Sequence, residues 1–205
     1  MIYTIGHSNH EMEAFIALLR GHGVTCLADV RSHPYSRMYP QYCHDALKAA
    51  LRQNAMAYIF LGRELGARSG NPACYDESGK VRFELLAQEP GFAQGIARLQ
   101  EGMRAHCIAL MCAEKDPLDC HRAILVARHL GLAGVEVGHI LAHGQVETHA
   151  DMESRMLQAL KMSGQDMFCT RGQILAEAYI RQGRRIAYQD PALSGQNSGE
   201  EESFS

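Results

Sequence analysis

The segment 112–122, CAEKDPLDCHR, concentrates side chains that can do chemistry. It holds two cysteines, three acidic residues, a lysine, a histidine and an arginine. Its Asp-Pro pair is typical of a helix start, and Asp119 is an alternative cap. Either cap places the last three residues in or next to the first turn, where unpaired N–H groups and the helix dipole favour an anion. A guanidinium suits phosphate or carboxylate, so we predict that His121 and Arg122 bind an anionic ligand.

Both cysteines of this segment are candidate nucleophiles. The field of a helix start lowers the pKa of a thiol, which would activate Cys120, and Cys112 ends a predicted strand. The alternative for Cys120 is a buried, small apolar side chain. The alternative for Arg122 is an ion pair with Asp119 or Glu114. Glu114 is also a candidate general base, and a solvated surface carboxylate is the other interpretation.

The cysteines and histidines follow no familiar metal or phosphate motif. The residues that could converge on one ion are His7, His33, Cys112, Cys120 and His121. None of their spacings matches a common zinc pattern, and adjacent residues of a helix rarely ligate the same ion. A phosphatase-type loop would need an arginine where Leu118 or Val126 stands, and no Gly-rich nucleotide loop is present. The sequence therefore predicts no metal site and no cofactor.

Polar side chains also follow the other predicted strands. They are His7, Ser8, Asp29, Arg31 and Glu64. His7 is a candidate general acid or base, or an anion contact, and a hydrogen-bonded supporting or surface histidine is the alternative. Ser8 is a candidate ligand contact. Asp29 and Arg31 alternate along a strand end and point to one face, so they form either a structural ion pair or a ligand-binding pair. Glu64 is the leading isolated carboxylate for a general base, with a solvated surface group as the alternative.

These residues need a fold that brings strand ends together. Short apolar runs alternate with helical patterns from IYTIG onward. This alternation predicts an α/β fold, a single domain with a mostly parallel sheet sandwiched by helices, plus a C-terminal helical extension. In such sheets ligands bind beyond the carboxyl ends of the strands, so we predict one cleft at that edge.

The pattern along the chain also predicts boundaries and local features. We place the α/β domain at residues 1–150, the helical extension at 151–189 and a disordered tail at 190–205. Ser8 and Glu11 predict a capping box for the first helix. The run VEVGHILAHGQVETH predicts a last strand that contains a His-Gly turn.

Composition disfavours several classes of protein. The 205 residues carry a net charge of −3, which supplies no broad basic surface for duplex nucleic acid. No apolar run approaches the roughly 20 residues of a membrane span, and the N-terminus enters a predicted strand at once, so we expect no signal peptide. Seven irregularly spaced cysteines are typical of reduced thiols in the cytoplasm. The amphipathic C-terminal helices would suit a homo-oligomer.

Five blocks of the sequence together resemble the DUF488 family of uncharacterised bacterial and archaeal proteins. The blocks are TIGHS, LADVRSHPYS, YIFLGRELGA, CAEKDPLDCHR and HILAHGQVETH, in this order between about residues 2 and 150. The resemblance implies a compact α/β domain and no particular reaction. The recurrent polar residues that it implies are His7, Ser8, Asp29, Arg31, Glu64, Cys112, Glu114, Cys120, His121 and Arg122.

Three functions are compatible with these residues. The first is an enzyme that hydrolyses or transfers a group of a small anionic substrate, such as a nucleotide, nucleoside or phosphorylated metabolite. The second is a thiol-based sulfur carrier, because ADVR and a strand-end cysteine are loosely similar to rhodanese-like sulfurtransferases, although the Cys-x-x-Gly-x-Arg pattern is missing. The third is a non-catalytic nucleotide or nucleic-acid binding module, in which Tyr35, Tyr39 and Tyr42 could stack on bases. A packed flap is the other interpretation of these tyrosines.

Overall fold

A six-stranded sheet runs through the described part of the chain, residues 1–163 and 169–194 of a computed structural model. Its strands are β1 (Ile2–Gly6), β2 (Cys26–Asp29), β3 (Ala57–Phe60), β4 (Ile108–Cys112), β5 (Val137–Ile140) and β6 (Val146–Thr148). The order across the sheet is β3-β2-β4-β1-β5-β6. Strands β1 to β5 are parallel and β6 is antiparallel to β5. The predicted α/β fold with a mostly parallel sheet is confirmed.

Helices cover both faces of this sheet. They are α1 (Met12–Gly21), α2 (His44–Gln53), α3 (Gly62–Leu65), α4 (Phe83–Leu86), α5 (Pro90–Gly102), α6 (Arg128–Leu132), α7 (His149–Ala159) and α8 (Arg171–Ile186). Three short 3₁₀ turns (Pro40–Tyr42, Pro72–Cys74 and Pro117–Asp119) and a π-helical segment (Arg122–Ala127) complete the described elements. Helices α1 and α2 share one core with one face of the sheet, and the other helices pack on the opposite face.

The strands read as apolar runs because both of their faces are buried. All five residues of β4 are buried: Ala109 and Met111 face the core of α1 and α2, and Leu110 faces the other core. Burying a leucine or methionine side chain contributes roughly 1.5–3 kcal/mol to stability. The two cores therefore hold β4 in the middle of the sheet and fix where its carboxyl end lies.

The carboxyl ends of three neighbouring strands lie level with one another. Gly6 of β1 pairs with Cys112 of β4, and Asp29 of β2 pairs with Met111. The chain leaves β1 towards α1 on one face, whereas the segment after β4 packs on the other face. Connections that diverge above adjacent strands open a crevice at this edge, which is where ligands bind in such sheets.

One local prediction is wrong, and a second is confirmed only in part. The capping box is absent, because α1 begins only at Met12 with Glu11 as its N-cap and no side-chain cap bond. Ser8 instead lies in a turn, where its hydroxyl donates to Asn9. The predicted His-Gly turn is present, with Gly144 at a φ of 86°, but it divides the predicted last strand into two antiparallel strands, β5 and β6.

The C-terminal helices belong to the main body of the fold. Met152 and Met156 of α7 and Tyr179 of α8 share the core that contains Leu125. Residues 190–194 form a turn that is held to Gly79 by a backbone hydrogen bond of 2.8 Å. The remainder of the predicted disordered tail, 195–205, lies outside the described residues. Within the described ranges, no helix has the length and apolar character that crossing a membrane requires.

Candidate functional site

A cleft of about 870 Å³ lies at the carboxyl edge of the parallel strands. Six of the predicted site residues line it: His7, Ser8, Arg31, Cys112, Glu114 and His121. Asp29, Cys120 and Arg122 lie behind this lining, each at most 1% exposed, and each contacts a lining residue. The structure therefore brings nine of the ten predicted residues to one edge of the sheet.

Glu64 is the predicted residue that does not join the others. It lies in α3, and its carboxylate pairs with Arg98 of α5. It is not among the residues that line the cleft. This carboxylate therefore joins helices α3 and α5. That Glu64 is a general base stays a prediction, and the geometry does not support it.

Two thiols and an imidazole meet at the floor of the cleft. Cys112 Sγ lies 3.6 Å from His121 Nδ1, and Cys120 Sγ lies 3.9 Å from the same nitrogen. All three residues are buried, at 4%, 1% and 7% exposure. His121 Nε2 lies 2.9 Å from the carbonyl oxygen of Val30 and donates to it, which leaves the lone pair of Nδ1 facing both sulfurs. We call Cys112, Cys120 and His121 the floor cluster.

The loop between the two cysteines is built to return the chain to the end of β4. Asp116 accepts from Leu118 N (2.8 Å) and caps the 3₁₀ turn Pro117–Asp119. The prediction that it caps the helix containing Cys120 is wrong, because this turn ends before Cys120 and the helical segment after it has no side-chain cap. Both oxygens of Asp116 also accept from Arg155 of α7, at 2.8 and 2.9 Å. Cys120 then has an extended backbone (φ −136°, ψ 136°). This short, doubly anchored connection places the second thiol beside the first.

The electrostatics of the floor cluster separate the two thiols. Burial alone would raise the pKa of Cys120, but hydrogen bonding with Cys112 and the charge of Arg122 lower it well below its usual value. The same hydrogen bond, followed by burial, raises the pKa of Cys112 well above its usual value. Burial would lower the pKa of His121, and its bond with Cys120 raises it. Negative charge at the floor therefore concentrates on Cys120.

Glu114 connects the floor cluster to the cleft. The residue as a whole is exposed, yet its Oε2 turns inward and accepts from the thiol of Cys120 at 2.9 Å. Burial of the carboxyl group and the negative charge of Cys120 raise the pKa of Glu114. The pKa of Glu114 and the pKa of Cys120 are therefore displaced in opposite directions.

Arg122 holds the loop from below. Its side chain is fully buried, with Nη1 donating to the carbonyl of Glu114 (2.7 Å) and Nη2 to that of Lys115 (3.2 Å). It does not line the cleft. In this structure both terminal nitrogens thus donate to backbone carbonyls. Arg122 acts on the site through its charge and through these two hydrogen bonds to the loop. Its predicted contact with a ligand stays untested.

Asp29 and Arg31 form a buried fork at the end of β2. Asp29 Oδ1 accepts from Arg31 Nε (2.9 Å), and Oδ2 accepts from Arg31 Nη2 (2.6 Å) and from the hydroxyl of Tyr58 (2.9 Å). Arg31 Nη2 also donates to the carbonyl of Tyr42. Only Nη1 of this guanidinium lacks an oxygen partner among the described residues, and its contact is His7 Nε2 at 3.4 Å. The fork therefore orients one donor group towards the cleft.

His7 lies beside that donor group. Its ring stacks on Tyr42 with a centroid distance of 4.1 Å, and its Nδ1 donates to the carbonyl of Ser8 (2.9 Å). Burial, followed by the charge of Arg31, lowers the pKa of His7 to about 4. His7 is thus neutral at neutral pH. Ser8 has a left-handed φ of 47°, which is uncommon for residues other than glycine.

Several lining residues were missed by the sequence reasoning. Arg68 reaches the cleft from the loop after α3, and its guanidinium carbon lies 3.9 Å from the centroid of the Tyr188 ring. Lys115 also lines the cleft. Lys115 was visible in the segment 112–122, but nothing local in the sequence signals that Arg68 and Tyr188, which are far apart in the chain, meet there.

The tyrosines proposed as a stacking platform divide between two environments. Tyr35 and Tyr39 line the cleft, and Tyr35 is 69% exposed. Tyr42 is fully buried, with its hydroxyl donating to the carbonyl of His10. Tyr42 is thus a core residue that supports His7 and Arg31, and only the first two tyrosines can reach a ligand.

A family model matches more than half of the chain. Residues 11–129 match the family model described as "Domain of unknown function DUF488". Searches of curated proteins and of solved structures found no match.

Proposed function

The chain belongs to the DUF488 family, and we propose that it is an enzyme that hydrolyses or transfers a group of a small anionic substrate in the cleft. Nucleotides, nucleosides and phosphorylated metabolites are the candidate substrates. The observation that carries the proposal is that cationic side chains and a cluster of reactive side chains share one cleft: Arg31, Arg68 and Lys115 line its walls above the floor cluster.

The walls of the cleft favour an anion. Asp29 balances the charge of Arg31 and fixes its direction, while Arg68 and Lys115 are exposed and have no carboxylate partner among the ion pairs of the described residues. A guanidinium suits phosphate and carboxylate oxygens because its donors form a planar fork. Tyr35 and Tyr39 could pack against a base or another flat group of the substrate.

A second candidate function is a thiol-based sulfur carrier. It is favoured by the position of Cys112 in the lining of the cleft and by the lowered pKa of Cys120 beside it. A thiolate is the nucleophilic form of cysteine. This candidate requires that a sulfur of the floor cluster be free to react.

A thermal-shift screen against nucleotides, nucleosides, sugar phosphates and simple anions tests the first candidate. A ligand at about 100 times its dissociation constant should stabilise the fold by roughly 2.7 kcal/mol. The stabilisation should weaken in Arg68→Ala and Lys115→Ala and persist in Arg104→Ala, where the arginine is 78% exposed and pairs with Glu101. Hits then enter turnover assays.

The two candidates give different results in that screen. No shift from any anion, or shifts that the Arg68 and Lys115 substitutions leave unchanged, would contradict the anionic-substrate proposal. Mass-spectrometric detection of a persulfide on Cys112 or Cys120 after incubation with thiosulfate would instead support the carrier, since a thiolate can take the outer sulfane sulfur of thiosulfate while sulfite leaves.

A further inference from the structure

We propose that the floor cluster is a binding site for a divalent metal ion of the zinc class, with Cys112, Cys120 and His121 as its three protein ligands. The proposal goes beyond the enzymatic function above, because metal binding does not depend on the identity of the substrate. It also reverses the expectation from sequence spacing that the chain has no metal site.

The separations between the ligand atoms carry this inference. With Zn–S bonds of about 2.3 Å and Zn–N bonds of about 2.0 Å, tetrahedral geometry puts ligand atoms roughly 3.5–3.8 Å apart. The two sulfur-to-nitrogen distances are 3.6 and 3.9 Å. One ligand atom from each of the three residues lies within 4.8 Å of the other two. Shifts of a few tenths of an ångström would bring them around a common ion.

The groups around the cluster are those that orient metal ligands. A histidine that binds a metal usually donates its other ring N–H to a carboxylate or backbone carbonyl, and His121 Nε2 faces the carbonyl of Val30 at 2.9 Å. The backbone N–H of Arg122 donates to Cys120 Sγ at 3.4 Å. The imidazole is thus already in the tautomer that presents Nδ1 to an ion, and Cys120 Sγ already accepts a hydrogen bond.

Charge and burial also fit an ion. Two thiolates and a neutral imidazole would balance a divalent cation, so the occupied site would carry no net charge inside the protein. Soft sulfur ligands with imidazole select zinc over magnesium or calcium, which prefer oxygen. The chemistry of the donor set therefore names the class of ion.

The number of protein ligands indicates what the ion would do. Catalytic zinc sites keep three protein ligands and leave the fourth position to water or substrate, and a two-cysteine, one-histidine set is one of the known forms. Cys112 and His121 both line the cleft, so the ion would lie next to a bound anion. There it could polarise the substrate and lower the pKa of a bound water.

The test is metal binding by the full chain, measured without any substrate. Protein stripped with a chelator would be titrated with Zn²⁺ and, separately, with Co²⁺, whose thiolate complexes absorb in the near ultraviolet. We expect one equivalent of either ion and a cobalt–thiolate absorption. Cys112→Ser, Cys120→Ser and His121→Gln should each weaken Zn²⁺ binding by more than about 100-fold. Cys26→Ala is the matched control, because Cys26 is buried at the opposite edge of the sheet.

A second measurement on the unmodified chain guards against variants that do not fold. Zn²⁺ should protect Cys112 and Cys120 from alkylation, while Cys43 and Cys107, which are only partly buried, react at an unchanged rate. The proposal would be overturned if the folded, chelator-stripped chain gave no cobalt–thiolate absorption on addition of Co²⁺ and no protection of these two cysteines on addition of Zn²⁺. So would full Zn²⁺ affinity in all three ligand variants.

These outcomes are independent of the proposed enzymatic function. Anion binding can be scored on the metal-free protein, so a chain that binds anions but neither Zn²⁺ nor Co²⁺ retains the first proposal and loses this one. A chain that binds metal but no anion gives the reverse result. Bound metal would also remove the free thiol on which the sulfur-carrier alternative depends.

Discussion

Gly6 lies directly beneath the backbone of Glu114. A Cβ atom added to Gly6 would lie 1.9 Å from the carbonyl oxygen of Glu114 and 3.3 Å from Arg122 Nη2. The end of β1 and the loop after β4 are therefore in contact through a position that has no room for a side chain. The geometry of the candidate site depends on this close approach.

Gly6→Ala should displace that loop and lower the free energy of unfolding by about 1–3 kcal/mol, the range for an overpacked interior. Gly21→Ala is the matched control, because a Cβ there has no neighbour within 4 Å. Alanine is also favoured over glycine in a helix, so the control should be neutral or stabilising. Urea denaturation of both variants checks this. Equal stability of the two variants would contradict the close packing of Gly6.

Arg122→Met tests whether this arginine serves the loop or a ligand. Methionine keeps an unbranched chain but leaves the carbonyls of Glu114 and Lys115 without their donor, which should cost on the order of 3 kcal/mol of unfolding free energy. Arg104→Met, at an exposed position, should stay within about 0.5 kcal/mol of the unmodified chain. Denaturation curves give the comparison. Unchanged stability together with lost anion binding would instead support the ligand contact expected from sequence.

The sequence was sufficient to predict that these polar residues meet at one edge of the sheet, but not the contacts among them. Apolar runs identify buried strands, and the parallel order brings the residues after them together; this is how Arg31 and Cys112 were found. Spacing alone argued against a metal because Cys120 and His121 were expected in a helix. Cys120 has an extended backbone instead, and the π-helical segment begins after it.

The direction of a long side chain was harder to predict than its position. Arg122 and Glu64 both follow strands, as expected. However, Arg122 turns inward to two backbone carbonyls, and Glu64 turns to Arg98 on a helix that is distant in sequence. Such choices depend on partners brought by the tertiary fold, which no local pattern contains.

Asp29→Asn should weaken both the fold and the orientation of Arg31. The substitution keeps the shape of the side chain but removes the charge that balances a guanidinium only 6% exposed. Breaking a buried ion pair in this way costs about 3–5 kcal/mol. Tyr58→Phe removes only one hydrogen bond to the Asp29 carboxylate and should cost less, about 1.5–3 kcal/mol. Denaturation with each variant tests this order, and a larger loss in Tyr58→Phe would contradict it.

A second histidine network, away from the cleft, should make stability depend on pH. His139 accepts from or donates to Thr4 at 2.8 Å and lies 3.0 Å from His149, which in turn lies 2.9 Å from the hydroxyl of Tyr179. Burial, followed by the charge of His149, lowers the pKa of His139 well below its usual value. Burial likewise lowers the pKa of His149, although the charge of Glu153 opposes it.

Because these two pKa values are lower in the folded chain than in the unfolded one, the unfolded state binds more protons once the pH falls below about 6.5. The free energy of unfolding should therefore be at its full value above that pH and decrease as the pH falls towards the folded-state pKa values. His139→Gln should reduce this slope, whereas His143→Gln, at an exposed position, is the matched control. Urea denaturation at several pH values from neutral to acidic measures the slopes. Identical slopes for the two variants would show that the buried network does not carry the dependence.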